Sequence, residues 1–209
     1  PIAANGFVIS RQVTNFATDF VGHESNFSQV PQELYSNKNN NYEMAETPIN
    51  GAHRVKFVTL GCKLNFSETA TLGATLARHG IPTAKEGETP DICVVNTCSV
   101  TELADKKCRQ HIRSLVSKYP GALVIVTGCY AQLKSKEIAA IPGVGMVLGS
   151  EQKADVMQHI ERWFNDPQNV VEVTPTPQIR RFSPSCECGS RTRYFLKVQD
   201  GCDYYCSYC

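Results

Sequence analysis

Cysteine is the residue type in this chain that could do chemistry, and six of the ten cysteines fall into two sets of three. Cys202, Cys206 and Cys209 form a Cys-x3-Cys-x2-Cys run. Four thiolates close the coordination of a [4Fe-4S] cluster, whereas three leave one iron free to bind a small molecule. Bacterial ferredoxins space their first three cysteines by two residues throughout, and structural zinc sites pair one Cys-x2-4-Cys with a second pair at a distance. A zinc knuckle completed by Cys186 and Cys188 is the competing reading of this run. The second set, Cys62, Cys98 and Cys129, stands in Leu-Gly-Cys-Lys-Leu-Asn, Asn-Thr-Cys-Ser-Val-Thr and Thr-Gly-Cys-Tyr-Ala-Gln, with separations of 36 and 31 residues. Whether those three thiols act together depends on the elements that carry them.

From Arg54 the pattern is strand, turn, helix, repeated. Val55 to Leu60, Ile92 to Asn96, Leu123 to Thr127 and Met146 to Leu148 are short Val/Ile-rich runs, and Ile81 to Ala84 is a weaker one. Short continuous apolar runs between helical stretches predict buried parallel strands. Helices are expected over about 65–79, 101–119, 133–140 and 151–164, with Asn65-x-x-Glu68 and Ser99-x-x-Glu102 as capping signals. The alternation predicts an α/β, doubly wound (flavodoxin-like) parallel sheet of about five strands over 54–165, in the order 2-1-3-4-5 with Ile81 to Ala84 as the second.

The flanks differ. Residues 1–53 are polar, contain Asn37-Lys-Asn-Asn-Asn41 and have no apolar period, which predicts a disordered extension. Residues 166–192 read as a linker, broken by Pro167, Pro175, Pro177 and Pro184. In 193–209 a strand from Tyr194 to Gln199 runs through Asp200-Gly201 into the last three cysteines, as a barrel strand feeds its active-site loop. A barrel needs more chain than this, so the sequence reads as a fragment of a larger protein.

In a doubly wound sheet all strand carboxyl ends share one edge, which is where ligands bind. Cys62, Cys98 and Cys129 each follow such an end, on strands expected to be adjacent. At ~4.8 Å between neighbours the three sulfurs span on the order of 10 Å, within reach of one cluster. Gly61 and Gly128 permit the tight turns that this needs. Buried cysteines are also common small hydrophobes. Cys108 belongs to that class, in a helical core stripe with Ile112, Leu115, Val116 and Tyr119, and so does Cys93, inside a strand. Lys106, Arg109, Arg113 and Lys118 give the same helix a basic surface, for which a solvated face is the default explanation and RNA contact the alternative.

Composition excludes little else. With 209 residues the chain has room for one sizeable domain, and ten cysteines without an apolar leader point to reduced thiols in a cytoplasmic setting. No apolar run approaches the ~20 residues of a membrane span. A net charge of +1 leaves a nucleic-acid partner open. No Ser/His/Asp set or carboxylate pair is legible, and none of the five histidines has ligand spacing. A zinc-binding module using Cys186, Cys188, Cys206 and Cys209, or a thiol redox sensor, therefore stands beside the cluster enzyme.

Taken together, Leu-Gly-Cys62-Lys-Leu-Asn65-x-x-Glu68, Asn96-Thr-Cys98-Ser-Val-Thr, Gly-Cys129-Tyr-Ala-Gln132 and Lys197-Val-Gln199-Asp-Gly-Cys202-x3-Cys206-x2-Cys209 resemble the methylthiotransferases, a radical S-adenosylmethionine family, over residues 54–209. The resemblance implies insertion of a methylthio group at an unactivated carbon with two [4Fe-4S] clusters and S-adenosyl-L-methionine. It implies that Cys202, Cys206 and Cys209 hold the cluster whose open iron chelates S-adenosylmethionine, with Tyr208 beside the cofactor adenine. Cys62, Cys98 and Cys129 would hold the auxiliary cluster, whose open iron carries the sulfur. Ala104-Asp-Lys-Lys-Cys-Arg-Gln110 and Thr127-Gly-Cys-Tyr-Ala-Gln132 look most like the branch acting on N6-threonylcarbamoyladenosine beside the tRNA anticodon. Siblings act on isopentenyladenosine in tRNA or on a ribosomal-protein aspartate. The implied partners are tRNA, through C-terminal parts absent from this sequence, and an electron donor such as flavodoxin or ferredoxin. A chain of this extent is not expected to catalyse alone. Asn65 and Glu68 match the family pattern and are read first as helix capping.

Overall fold

The computed structural model describes residues 53–187 and 195–199. Five strands, β1 (Val55–Thr59), β2 (Ile92–Thr97), β3 (Leu123–Gly128), β4 (Val144–Leu148) and β5 (Val170–Glu172), form one all-parallel sheet in the order β1-β2-β3-β4-β5. Every residue of β2 and of β3 is buried, as continuous Val/Ile runs covered on both faces require. Helices α1 (Lys63–Arg78) and α5 (Val156–Asn165) pack one face through Leu72, Leu76, Val156 and Ile160. Helix α2 (Glu102–Lys118) and the short α3 (Cys129–Leu133) and α4 (Ser135–Ala139) cover the other through Cys108, Ile112, Leu115, Tyr130 and Ile138. The sheet is doubly wound, as expected.

Its fifth strand is not the one expected. Ile81 to Ala84 makes a single parallel bridge, Val55 to Thr83, because Pro82 has no N–H to continue a ladder. Two backbone hydrogen bonds hold it there, Val55 N–H to Pro82 O at 3.0 Å and Ala84 N–H to Val55 O at 2.8 Å. The fifth strand is β5, in the stretch read as linker. It supplies three residues and pairs with β4 at the sheet's far edge.

Two helix starts also differ. Cys62, not Asn65, stands at the N-cap of α1, and no side chain caps that end. Thr101, not Ser99, caps α2, accepting from Ala104 N–H at 3.1 Å. Lys134 breaks the helix expected over 133–140, and a 3-10 turn, Gln152–Asp155, precedes α5.

A two-stranded antiparallel sheet, β6 (Ser185–Glu187) with β7 (Phe195–Lys197), lies against α1. Ser67 and Ser185 hydroxyls sit 3.1 Å apart, and Cys186 N–H donates to Thr71 Oγ1 at 3.2 Å. Cys186 is thus half-buried in a paired strand, within the stretch read as a linker. The disorder expected before Arg54 falls outside the described residues except at His53, whose ring stacks 4.2 Å from Phe164. No helix among the described residues is long and apolar enough to cross a membrane.

Candidate metal centre

The register of the sheet brings Cys62, Cys98 and Cys129 to one edge. Thr59 pairs with Asn96 and Asn96 with Thr127, so β1, β2 and β3 end level, and each cysteine follows within three residues. Gly61 turns the chain with φ 116°, and a Cβ added there would lie 2.3 Å from Cys98 Cβ and 3.1 Å from Cys98 Sγ. Gly128 turns it with φ 96°, where a Cβ would meet Thr97 O at 2.2 Å. Two loops therefore close on the Cys98 loop with no room for a side chain between them.

Burial and neighbouring charge raise two of the three thiols. Burial pushes the Cys98 thiol up and the Cys62 thiol adds to it, while hydrogen bonding, including from Cys129, opposes. Desolvation by the packed loops, then the charges of Cys98 and Glu68 and, more weakly, Cys62, push Cys129 up, although that residue keeps solvent exposure. All six described cysteines are free thiols, and Cys93 and Cys108 are core residues, as read from the sequence. Burial pushes Cys93 up to about 11.

Among the described residues no three His, Cys, Asp or Glu groups converge as around a single metal ion. Thiolates that each ligate a different iron of a cluster spread over its faces and need not converge on one point. An all-thiol donor set, open to solvent at Cys62 and Cys129 and cradled by two glycines, fits an iron-sulfur cluster. Cys202, Cys206, Cys209 and Tyr208 lie outside the described residues, as does Cys188.

Side-chain amides lock the loops behind the thiols. Asn65, 2% exposed, places Nδ2 within 3.1 Å of Leu60 O, 3.0 Å of Thr97 O and 3.2 Å of Asn96 Oδ1. Its Oδ1 accepts from the Cys62 thiol at 3.2 Å. Asn96 donates to Asn65 O at 3.0 Å. Gln132 does the same for the far loops, donating to Thr174 O at 2.8 Å and accepting from Ser150 N–H at 2.8 Å. Asn65 is therefore a crosslink between strand ends and not a cap.

Glu68 is not a cap either. Its Oε1 accepts from Lys153 Nζ at 2.6 Å and from Lys197 Nζ at 2.9 Å, and all three side chains are buried. Burial alone would raise the Glu68 carboxyl, but the two ammonium groups outweigh it and hold the carboxyl below its ordinary value. This group ties α1, the turn after β4 and β7 together. Sequence reasoning missed both lysines. The available signal was Lys197 at the end of the apolar Tyr-Phe-Leu run, where a strand buries a cation only against an acid.

Gly128 gives the sharpest local test. Gly128→Ala combines left-handed backbone with a backbone clash and is expected to cost about 3 kcal/mol. Gly121→Ala, at φ 89° with nothing within 4 Å of the added carbon, is expected to cost only about 1 kcal/mol. Denaturant melts of the two variants check this; equal losses would show that the close approach does not matter.

Residues 54–149 match the uncharacterized protein family UPF0004. The threonylcarbamoyladenosine tRNA methylthiotransferase MtaB of Bacillus subtilis is 36% identical over 159 residues, covering 74% of this chain and 35% of the relative. The protein of the same name from Thermotoga maritima is 36% identical over 155 residues, covering 74% of this chain and 35% of the relative. The tRNA-2-methylthio-N(6)-dimethylallyladenosine synthase of Syntrophus aciditrophicus is 26% identical over 156 residues, covering 72% of this chain and 34% of the relative. The chain thus spans about a third of the length of the curated relatives it matches. Residues 54–149, the domain that places Cys62, Cys98 and Cys129 on one sheet edge, are thus the part of this chain that matches the family UPF0004, and the relatives to which the chain is similar are named as methylthiotransferases.

Proposed function

We propose that this chain is part of a tRNA methylthiotransferase acting at adenine C2 of N6-threonylcarbamoyladenosine. The observation that carries the reading is the placement of three thiols, Cys62, Cys98 and Cys129, at one sheet edge by the level ends of β1, β2 and β3 and the close approach of their loops. These would hold one [4Fe-4S] cluster, and Cys202, Cys206 and Cys209 a second, with S-adenosyl-L-methionine on its open iron and Tyr208 beside the adenine. When bound, these groups would supply the electron and radical that open a carbon–hydrogen bond, and the sulfur that replaces the hydrogen.

The chain's own residues set the stage for that chemistry. Gly61 and Gly128 let three loops close on one another, Asn65 and Asn96 hold those loops in register, and Glu68 anchors Lys153 behind α1. Identity of 36% to two threonylcarbamoyladenosine enzymes against 26% to the dimethylallyladenosine enzyme supports the choice of branch. Both adenosines present the same C2 carbon and differ at N6, so a pocket elsewhere in the complete protein reads the difference. A flavodoxin or ferredoxin would supply electrons, in the cytoplasm.

A nucleoside digest of tRNA from a strain lacking the gene tests the branch. The 2-methylthio form of N6-threonylcarbamoyladenosine is expected to disappear while that of isopentenyladenosine persists. The reverse pattern assigns the chain to the isopentenyl branch, and no change in either assigns it to the ribosomal-protein branch.

A further inference from the structure

We propose that the solvent face of α2 is a docking surface for the sugar-phosphate backbone of RNA; the inference rests on the tRNA reading above and names the surface that would meet that substrate. Between Lys106 and Lys118 the helix has five Lys or Arg and no Asp or Glu. Cys108, Ile112 and Leu115 are buried against the sheet, so the helix cannot turn this charge inward. Arg109 is engaged, donating to Tyr130 Oη at 2.8 Å and pairing with Glu137. Lys106, Lys107 and Arg113 are exposed and make no ion pair among the described residues. Lys118 is exposed too, its Nζ 5.4 Å from the Tyr119 ring.

A merely solvated face mixes signs, because i,i+4 acid–base pairs stabilise a helix and like charges at that spacing destabilise it. Arg109 and Arg113 are such a like pair. The opposite side of the sheet shows the ordinary mixture: residues 151–166 carry Glu151, Asp155, Glu161 and Asp166 with Lys153 and Arg162. The strip lies on the helix that leaves the cysteine-bearing sheet edge after Cys98, beyond an acidic first turn that carries Glu102 and Asp105. At ~1.5 Å per residue it runs ~18 Å away from that edge.

The chemistry of the strip favours nucleic acid over an acidic protein. A protein interface needs buried apolar anchors at its centre. Apart from Leu103 in its first turn, α2 exposes no large hydrophobic side chain, and between Lys106 and Lys118 the cations are accompanied by exposed Gln110, His111, Ser114 and Ser117. Cations and hydrogen-bond donors without apolar anchors are what a phosphate backbone requires.

The test is the salt dependence of binding between the full-length protein and an in vitro transcribed tRNA with adenosine 3′ of its anticodon. Lys106→Gln, Lys107→Gln and Arg113→Gln together are expected to flatten the slope of log K against log salt by about 2 to 3 and to weaken binding about tenfold or more near 0.15 M salt. Melting temperature should not change, and Lys85→Gln, an exposed cation away from α2, should leave both slope and affinity as they were. A triple variant that binds tRNA with the parent's slope and affinity would overturn the proposal, as would unchanged tRNA binding combined with lost binding to an acidic flavodoxin. If the parent protein binds no tRNA at all, it is the tRNA function itself that fails.

Discussion

Glu68→Ala is expected to lower stability by about 3–5 kcal/mol, because it removes the carboxylate from a buried pair and leaves Lys153 desolvated without its anion. In a chain of this size that corresponds to a fall in Tm of about 10 °C or more. Lys153 and Lys197 lie 2.6 and 2.9 Å from the same carboxylate oxygen, so one substitution undoes contacts among three elements. The effect has a pH signature. The folded-state pKa of Glu68 is below its ordinary 4.5, so its contribution is fully present above the unfolded value and is lost as pH falls through the folded one. The stability gap between the parent protein and Glu68→Gln should therefore be constant from neutral pH down to about 5 and then shrink on acidification. Thermal melts of the metal-free protein under reducing conditions measure both. Replacing the pair by apolar side chains, Glu68→Met with Lys153→Met, should recover part of the loss. A loss below about 1 kcal/mol for Glu68→Ala would mean that water, not protein, solvates those ammonium groups.

That buried group marks the boundary of what sequence could reveal. The strands at 92–96 and 123–127 were legible because strands covered on both faces are written as continuous Val/Ile-rich runs, and those at 55–60 and 146–148 because short apolar stretches stand between helical ones. The edge strand β5 was not: Val-Val-Glu sits between Pro167 and Pro175, is only partly buried, and forms because β4 offers it a partner. Conversely, Ile81 to Ala84 had strand composition, but Pro82 limits it to a bridge. Cys62, Cys98 and Cys129 could be placed together because parallel topology forces strand ends to one edge. Their supports could not. Asn65 and Glu68 sit at spacings that also spell a capping box, and only tertiary contacts, to Asn96, Lys153 and Lys197, distinguish a cap from a crosslink. The partners are 31, 85 and 129 residues away, beyond the reach of any local pattern.

We propose that Cys62, Cys98 and Cys129 form a metal centre of their own, separate from Cys202, Cys206 and Cys209. Iron content after anaerobic reconstitution of the full-length protein tests this without depending on turnover. The parent protein is predicted to take up about eight irons per chain, and the Cys62→Ala, Cys98→Ala, Cys129→Ala variant about four, with reductive cleavage of S-adenosylmethionine retained and sulfur transfer lost. A folded triple variant that binds as much iron as its parent, or a parent that binds zinc and no iron, would contradict the claim.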